Sequence, residues 1–332
     1  MQTTHTRPIL FSFFMFTADL RPDDAGYSDT LIRHMKALVD MGYAGFDLPI
    51  APTALSDPAA EVQSYQRLRE RLDKAGLGSI RLTTNVAVTR TFDPSSNFAE
   101  QRALGLKYLK SRIDITKALR AEALAGPIIL PYGVFPTTDF GQPIWSDALK
   151  DYTAPRYANA QAIIQELGEY AAAHDVKIAI EPVDHWETPA PNLVRDVAVF
   201  LHKVPSKSVG VCVDSAHVVL GEDGPAVIAA ELTALLRAGR LHYVHLSPPD
   251  RGALQDSWIP WTQFLAPILP SYTGPYLVEV FNAVPVFLNG LRITRRKFWI
   301  PSEDTPNKFQ KDAYQVAREA IETVRREFAK FE

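Results

Sequence analysis

A closed (β/α)8 barrel is the fold that this sequence predicts, on three observations. Strand-like and helix-like segments alternate from end to end of the 332 residues. Such alternation implies a parallel sheet with right-handed crossovers, and eight units in succession imply that the sheet closes. The last four apolar runs, Val176–Glu181, Val209–Asp214, Leu241–His245 and Pro275–Glu279, each end on an ionisable side chain and recur roughly every 31 to 34 residues. Barrels of this class carry their chemistry at the C-terminal ends of the strands.

The elements follow in order. Ile9–Phe16 reads as the first strand. Ser28 is placed to cap the next helix, with Leu31, Ile32, Met35, Leu38 and Val39 at helical spacing and Gly42 after them. Tyr43–Ile50 is the second strand, and the charged stretch Glu61–Ala75 is a helix stopped by Gly76 and Gly78. Ser79–Asn85 is the third strand, Phe98–Ala123 a long helix and Pro127–Pro131 the fourth strand. Pro131–Pro155, the longest irregular stretch, leaves that strand at the rim and reads as a lid or substrate loop. Tyr157–His174 is helical, with Ile163, Ile164, Leu167 and Ala171 on one face. Helices near Leu193–Lys203, Ala226–Ala238 and Trp261–Leu269 separate the last four strands, and Lys308–Phe331 follows them. An open doubly wound sheet is the rival, but no Gly-rich phosphate loop follows the first strand as a dinucleotide fold requires. With no interdomain linker evident, residues 1–332 are expected to form one barrel domain.

Composition narrows the function class. A formal charge of −3 gives no bulk electrostatic case for nucleic acid or a membrane surface, and Arg295-Arg-Lys297 reads as a solvated face. The lone Cys212 excludes an internal disulfide framework and fits a reducing compartment. Ile9–Phe16 is too short for a signal peptide core and is soon followed by Asp19, so a cytoplasmic protein is expected.

If the last four strands are parallel neighbours, Glu181, Asp214, His245 and Glu279 converge on one rim as a divalent-metal site. Carboxylate oxygens with one imidazole suit Mn²⁺ best, with Mg²⁺ or Co²⁺ as alternatives, whereas structural zinc would recruit thiolates. Glu187, His217 and Arg251 follow the same strands at short intervals. Arg251 offers forked hydrogen bonds to a substrate oxygen or a carboxylate. His217 suits either a sugar hydroxyl or a place near a helix start, and His185 and Trp186 share the Glu181–Glu187 loop, where an aromatic face can stack on a sugar.

These residues carry a resemblance. Glu181-Pro-Val-Asp-His-Trp-Glu187, Asp214-Ser-Ala-His217, His245 with Arg251, and Trp261 after a proline resemble the sugar phosphate isomerase/epimerase superfamily, most closely the D-tagatose and D-psicose 3-epimerases. The resemblance implies a metal held by Glu181, Asp214, His245 and Glu279. It implies that Glu181 and Glu279 also act as an acid/base pair on opposite faces of the substrate. Glu187, His217 and Arg251 would bind the O1–O2 end of a sugar. The implied chemistry is proton removal and return through a cis-enediolate. The sequence departs from the pattern at Ala253-Leu-Gln-Asp-Ser-Trp258, where the epimerases carry a glycine turn, at Pro248-Pro249, and in the apolar and basic segment Phe281–Ile300. Such changes would reshape the mouth for a larger substrate.

The first functional expectation is a metal-dependent ketose 3-epimerase or aldose–ketose isomerase acting on a small sugar. The second is the catalytic subunit of a 3-oxo-glycoside deglycosidase, a lyase similar to the C-glycoside deglycosidases and partnered by a small β-rich subunit. A homo-oligomer is expected for the first. Inosose dehydration and hydroxypyruvate isomerisation belong to the same superfamily. A non-catalytic sugar-binding barrel is disfavoured by the full set of ionisable strand ends. A three-metal DNA-repair nuclease would need more histidines at strand ends than the 8 in the chain allow, since His5, His34, His174 and His202 lie elsewhere.

Overall fold

The computed structural model describes residues 7–136, 146–282 and 298–332. Eight parallel strands close into a barrel in chain order: β1 Ile9–Ser12, β2 Gly45–Pro49, β3 Arg81–Asn85, β4 Ala123–Gly126, β5 Lys177–Ile180, β6 Val209–Asp214, β7 Leu241–Leu246 and β8 Tyr276–Val278. β1 pairs with β8 through Phe11↔Val278, which completes the ring. Outside it run α1 Ala25–Asp40, α2 Pro58–Lys74, α3 Ala99–Ala118, α4 Ser146–Ala173, α5 Val194–Phe200, α6 Ser215–Gly221, α7 Pro225–Ala238, α8 Trp261–Leu265 and α9 Ala313–Phe328. The expected (β/α)8 barrel is therefore the fold. Among the described residues no helix is long and apolar enough to cross a membrane.

Two buried layers hold it. Leu10, Ala125, Ala179, Cys212, Tyr243 and Leu277 form a compact cluster inside the barrel, mixing small and large side chains in one layer. Alternate strand residues such as Phe11, Phe46, Ile178, Val211 and Val244 point outward into the larger core beneath the helices. α9 joins that core through Val316, Ala317, Ala320, Ile321, Val324 and Phe328, an apolar stripe at helical spacing.

Several boundaries differ from expectation for identifiable reasons. β4 is Ala123–Gly126 and not Pro127–Pro131. Its Ala-Leu-Ala-Gly sequence has weak strand preference and reads as the end of the preceding helix. Gly126 has φ +127°, and a Cβ there would lie 2.2 Å from the Val86 carbonyl oxygen, so this close approach demands glycine. Ile128, Ile129 and Leu130 are buried beyond the strand end. α3 stops at Ala118 and not Ala123, because Arg120 adopts the left-handed region (φ 55°) and the Ala121 N–H turns back to the Thr116 carbonyl. The cap of α1 is Asp24, whose carboxylate accepts the Tyr27 N–H; Ser28 lies inside the helix. β1 ends at Ser12, whose hydroxyl accepts the Phe14 N–H and starts a 3-10 turn. α4 begins at Ser146, so the later part of the expected Pro131–Pro155 loop is helical, and residues 137–145 lie outside the described residues. Residues 283–297, including Arg295-Arg-Lys297 and most of the Phe281–Ile300 segment, also lie outside them, as does His5.

Candidate active site

The pleat of the barrel assembles the site. Ala179, Cys212, Tyr243 and Leu277 point into the barrel, and the residue two positions further along each strand points the same way. Those residues are Glu181, Asp214, His245 and Glu279. Asp214 and His245 are register partners. The Glu181 N–H donates to the Gly126 carbonyl (3.1 Å) and the Glu279 N–H to the Leu246 carbonyl (3.0 Å), so both carboxylates sit one residue beyond a strand but remain in the ladder. One donor atom from each of the four lies within 4.8 Å of every other, and all four side chains are buried.

His245 is the centre of this group. Its Nδ1 is 3.2 Å from Glu181 Oε1, 3.6 Å from Glu279 Oε1 and 4.0 Å from Asp214 Oδ2. Its Nε2 is buried and has no hydrogen-bond partner among the described residues. Burial opposes charge on the ring, but Cys212, Glu181 and Glu279 together outweigh it and raise its pKa well above the ordinary value. Burial, reinforced by Glu181 and Asp214, drives the Glu279 carboxyl well above the usual carboxylate range. Burial acts the same way on Asp214, yet Arg251, His217 and His245 together reverse it and hold that carboxyl low.

Arg251 is the permanent cation at this cluster. Its Nη1 donates to Ser247 Oγ (2.6 Å), Asp214 Oδ2 (2.8 Å) and Glu279 Oε2 (3.3 Å). Its backbone is left-handed (φ 53°), at the end of a turn in which its N–H meets the Pro248 carbonyl. A bulky residue held there marks a site where local strain is tolerated to aim a side chain. Without a metal the cluster approaches charge balance because His245 and Glu279 both hold protons, and a bound cation would take the place of those protons. The donor set fits a divalent cation: three carboxylates and a nitrogen of His245 converge within 4.8 Å, while Cys212, which also lies within that distance of Glu181 and His245, keeps its thiol protonated by burial.

A second group lies beside the first. His217 Nε2 is 2.7 Å from Arg251 Nη2 and its Nδ1 is 3.0 Å from Asp184 Oδ2. Arginine can only donate, so this contact leaves Nε2 unprotonated and turns the ring's proton toward Asp184. Glu187 accepts from the Tyr132 hydroxyl (2.5 Å) through one oxygen and from the Asp184 N–H (3.2 Å) through the other. A cavity of about 340 Å³ opens over both groups, lined by Glu181, Glu187, His217, Arg251 and Glu279 among others.

The structure thus brings together seven of the nine residues singled out from sequence. His185 and Trp186 are the exceptions: both are exposed, stacked edge to face with each other, and outside the cavity wall. The turn that carries the Glu187 and Thr188 N–H groups back to the Asp184 carbonyl folds Asp184 and Glu187 inward and leaves the two residues between them facing out. Three further residues escaped the sequence reading. Asp184 lay inside a quoted motif. Tyr132 carried no signal beyond its place after the fourth strand. Asp47 is a fully buried carboxyl in β2, bonded to Thr83, whose hydroxyl also meets Tyr243 (2.8 Å). Burial pushes its pKa up to about 6, and a charge in the middle of an apolar strand was the available clue.

An eight-stranded barrel with a buried acid–imidazole cluster at its C-terminal rim defines a class, and sequence comparison agrees. The chain belongs to the xylose isomerase-like TIM barrel family, whose model matches residues 35–298. A crystal structure from Anabaena variabilis, provisionally assigned as a sugar phosphate isomerase/epimerase, is 53% identical, with a TM-score of 0.95 over 98% of this chain and 100% of that one. The L-ribulose 3-epimerase of Methylomonas sp. (strain DH-1) is 28% identical over 82% of this chain and 88% of its own length. The ketose 3-epimerase of Arthrobacter globiformis is 25% identical over 79% of this chain and 83% of its own.

Proposed function

We propose that this protein is a divalent-metal-dependent sugar epimerase that inverts a ketose at C3. The observation that carries the reading is the buried quartet Glu181, Asp214, His245 and Glu279, in a chain similar to two ketose 3-epimerases over about four-fifths of its length. Glu181, Asp214, His245 and Glu279 would hold the cation, with Mn²⁺ the best match to the donors. A bound dication supplies Lewis acidity that acidifies the C–H between a carbonyl and a hydroxyl.

The chain's own residues do the rest. Glu181 and Glu279 project from β5 and β8, on opposite sides of His245, which suits removal of the C3 proton from one face and its return to the other. The cis-enediolate formed between these steps loses the configuration of C3. Arg251, His217 and Glu187 hold the O1–O2 end, with Arg251 offering its remaining donors and Tyr132 fixing the Glu187 carboxylate. Burial of the whole group keeps bulk water from the carbanionic species.

The test is solvent isotope incorporation. Enzyme loaded with Mn²⁺ is incubated in D2O with D-fructose, D-psicose, D-tagatose and L-ribulose, and deuterium at C3 is followed by NMR. The expected result is a C3 epimer carrying solvent deuterium. Absence of exchange on every ketose, or release of aglycone from a 3-oxo-glucoside without epimer formation, would reject the reading.

A further inference from the structure

The barrel interior holds one carboxyl that the proposed chemistry does not use. Asp47 lies in the middle of β2, where Phe46 and Leu48 on either side belong to the outer core, so the pleat turns Asp47 inward. It is fully buried, and burial pushes its carboxyl up to about 6. An apolar side chain of similar size would serve a plain core better. The two oxygens of this carboxyl differ. Oδ1 accepts from the Thr83 hydroxyl, which accepts in turn from the Tyr243 hydroxyl at 2.8 Å, so two donors in line hold it in place. Oδ2 is buried and has no hydrogen-bond partner among the described residues; Asn85 favours the charged carboxylate weakly but makes no bond to this oxygen.

His245 poses the matching problem. Its Nδ1 faces the three carboxylates, and ligation through Nδ1 leaves the ring's proton on Nε2. That Nε2 is likewise buried and unpartnered among the described residues. Cys212 is the polar neighbour on the adjacent strand, but its thiol stays protonated and sulfur is a weak acceptor. Two links tie His245 to Asp47. The His245 ring stands edge-on to Tyr243, with centroids 4.7 Å apart and planes at 83°, and Tyr243 heads the chain of hydroxyls that ends on Asp47. His245 is also the charged group that acts most strongly on the Asp47 carboxyl. A metal-bound histidine almost always donates its second ring N–H to a carboxylate, a carbonyl or a water. We propose that Asp47 is a positioning residue for the metal centre: one buried water joins its Oδ2 to His245 Nε2, fixes the imidazole tautomer and aims Nδ1 at the cation. Two buried polar atoms without a direct bond are the setting in which an internal water is retained. The inference rests on the metal reading and is independent of the sugar.

Calorimetric titration of Mn²⁺ into the chelator-treated protein tests this, with the Tm of each metal-free variant recorded alongside. Asp47→Leu removes the acceptor and should raise Kd by about 10- to 100-fold, the usual loss when a metal-bound histidine is deprived of its partner. Asp47→Asn is also neutral but keeps a carbonyl oxygen, and should restore most of that affinity. An Asn variant as weak as Leu would assign the effect to charge and overturn the positioning role. A native Kd in Asp47→Leu overturns it as well, whatever the Tm, and leaves the metal reading standing. Thr83→Val releases Oδ1 and should weaken binding by a smaller factor; it carries the test if Asp47→Leu does not fold, and an unchanged Kd there rejects the role. A crystal structure of the Mn²⁺-loaded protein should place one water within hydrogen-bond distance of Asp47 Oδ2 and His245 Nε2, whereas Nε2 bonded to Cys212 or any other group overturns the bridge. If the native protein takes up no Mn²⁺, the metal reading and this inference fall together.

Discussion

At the scale of single residues, the two glutamates and one buried histidine carry opposite kinds of consequence. Glu181→Gln and Glu279→Gln each remove a proton carrier while keeping size and one oxygen donor. Each should lower kcat by about 10³-fold, within the usual range for loss of a general acid or base. Isotope exchange in the variants checks this, and retention of a tenth of native turnover in either would rule out its role. His242 sits at the opposite end of β7, buried against Gly210, with Nδ1 2.9 Å from the Ile178 carbonyl oxygen. Burial, with Lys177 and Arg240 nearby, lowers its pKa to about 4. The unfolded chain takes up this proton near pH 6.5, so the unfolded state binds more protons between about 6.5 and 4. Stability from this group is therefore complete above pH 6.5 and declines on acidification, by about 3 kcal/mol at the lower limit. Denaturant unfolding at pH 7 and pH 4.5 should show a smaller acid loss in His242→Asn than in the native chain. Equal losses would mean that His242 is not the group responsible.

At the scale of elements, capping gives a clean comparison. The Asp24 carboxylate accepts the Tyr27 N–H at 2.9 Å, whereas Ser28 returns its hydroxyl to the Asp24 carbonyl within the first turn of α1. Asp24→Ala should cost about 1 kcal/mol and Ser28→Ala distinctly less, measured by chemical denaturation. The reverse order would restore Ser28 as the effective cap. Both residues are cap formers, and side-chain direction, which only the fold reveals, decides between them. The same limit explains which strands were legible. β5–β8 announce themselves because short apolar runs end on ionisable side chains at regular spacing. β4 does not, because Ala123 and Ala125 are chosen for the space inside the barrel and Gly126 for its contact with Val86, so local propensity points away from a strand. His185 and Trp186 shared a motif with true cavity residues, but one turn of chain sends neighbouring positions to opposite sides.

At the scale of the whole molecule, closure of the sheet is what gathers the ends of the last four strands at one rim. The four candidate donors come from the last four strands, so a cation shared among them would tie together the ends of β5, β6, β7 and β8. The unfolded chain cannot assemble that set, and ligand binding to the native state alone stabilises it by mass action. At a hundredfold excess over Kd the gain is about 2.7 kcal/mol, which should raise Tm by several degrees. Chelator-treated protein titrated with Mn²⁺ should therefore show a Tm that climbs with metal concentration, and EDTA should reverse it. His245→Ala removes the one nitrogen donor and should abolish the shift relative to its own metal-free baseline, however much that baseline falls. A shift that persists undiminished in His245→Ala would place the cation elsewhere. Because the readout is stability, it separates the metal assignment from the choice of sugar. The ionisable strand ends announce the former in sequence, whereas the latter turns on loop residues that gather at the mouth only when the barrel closes.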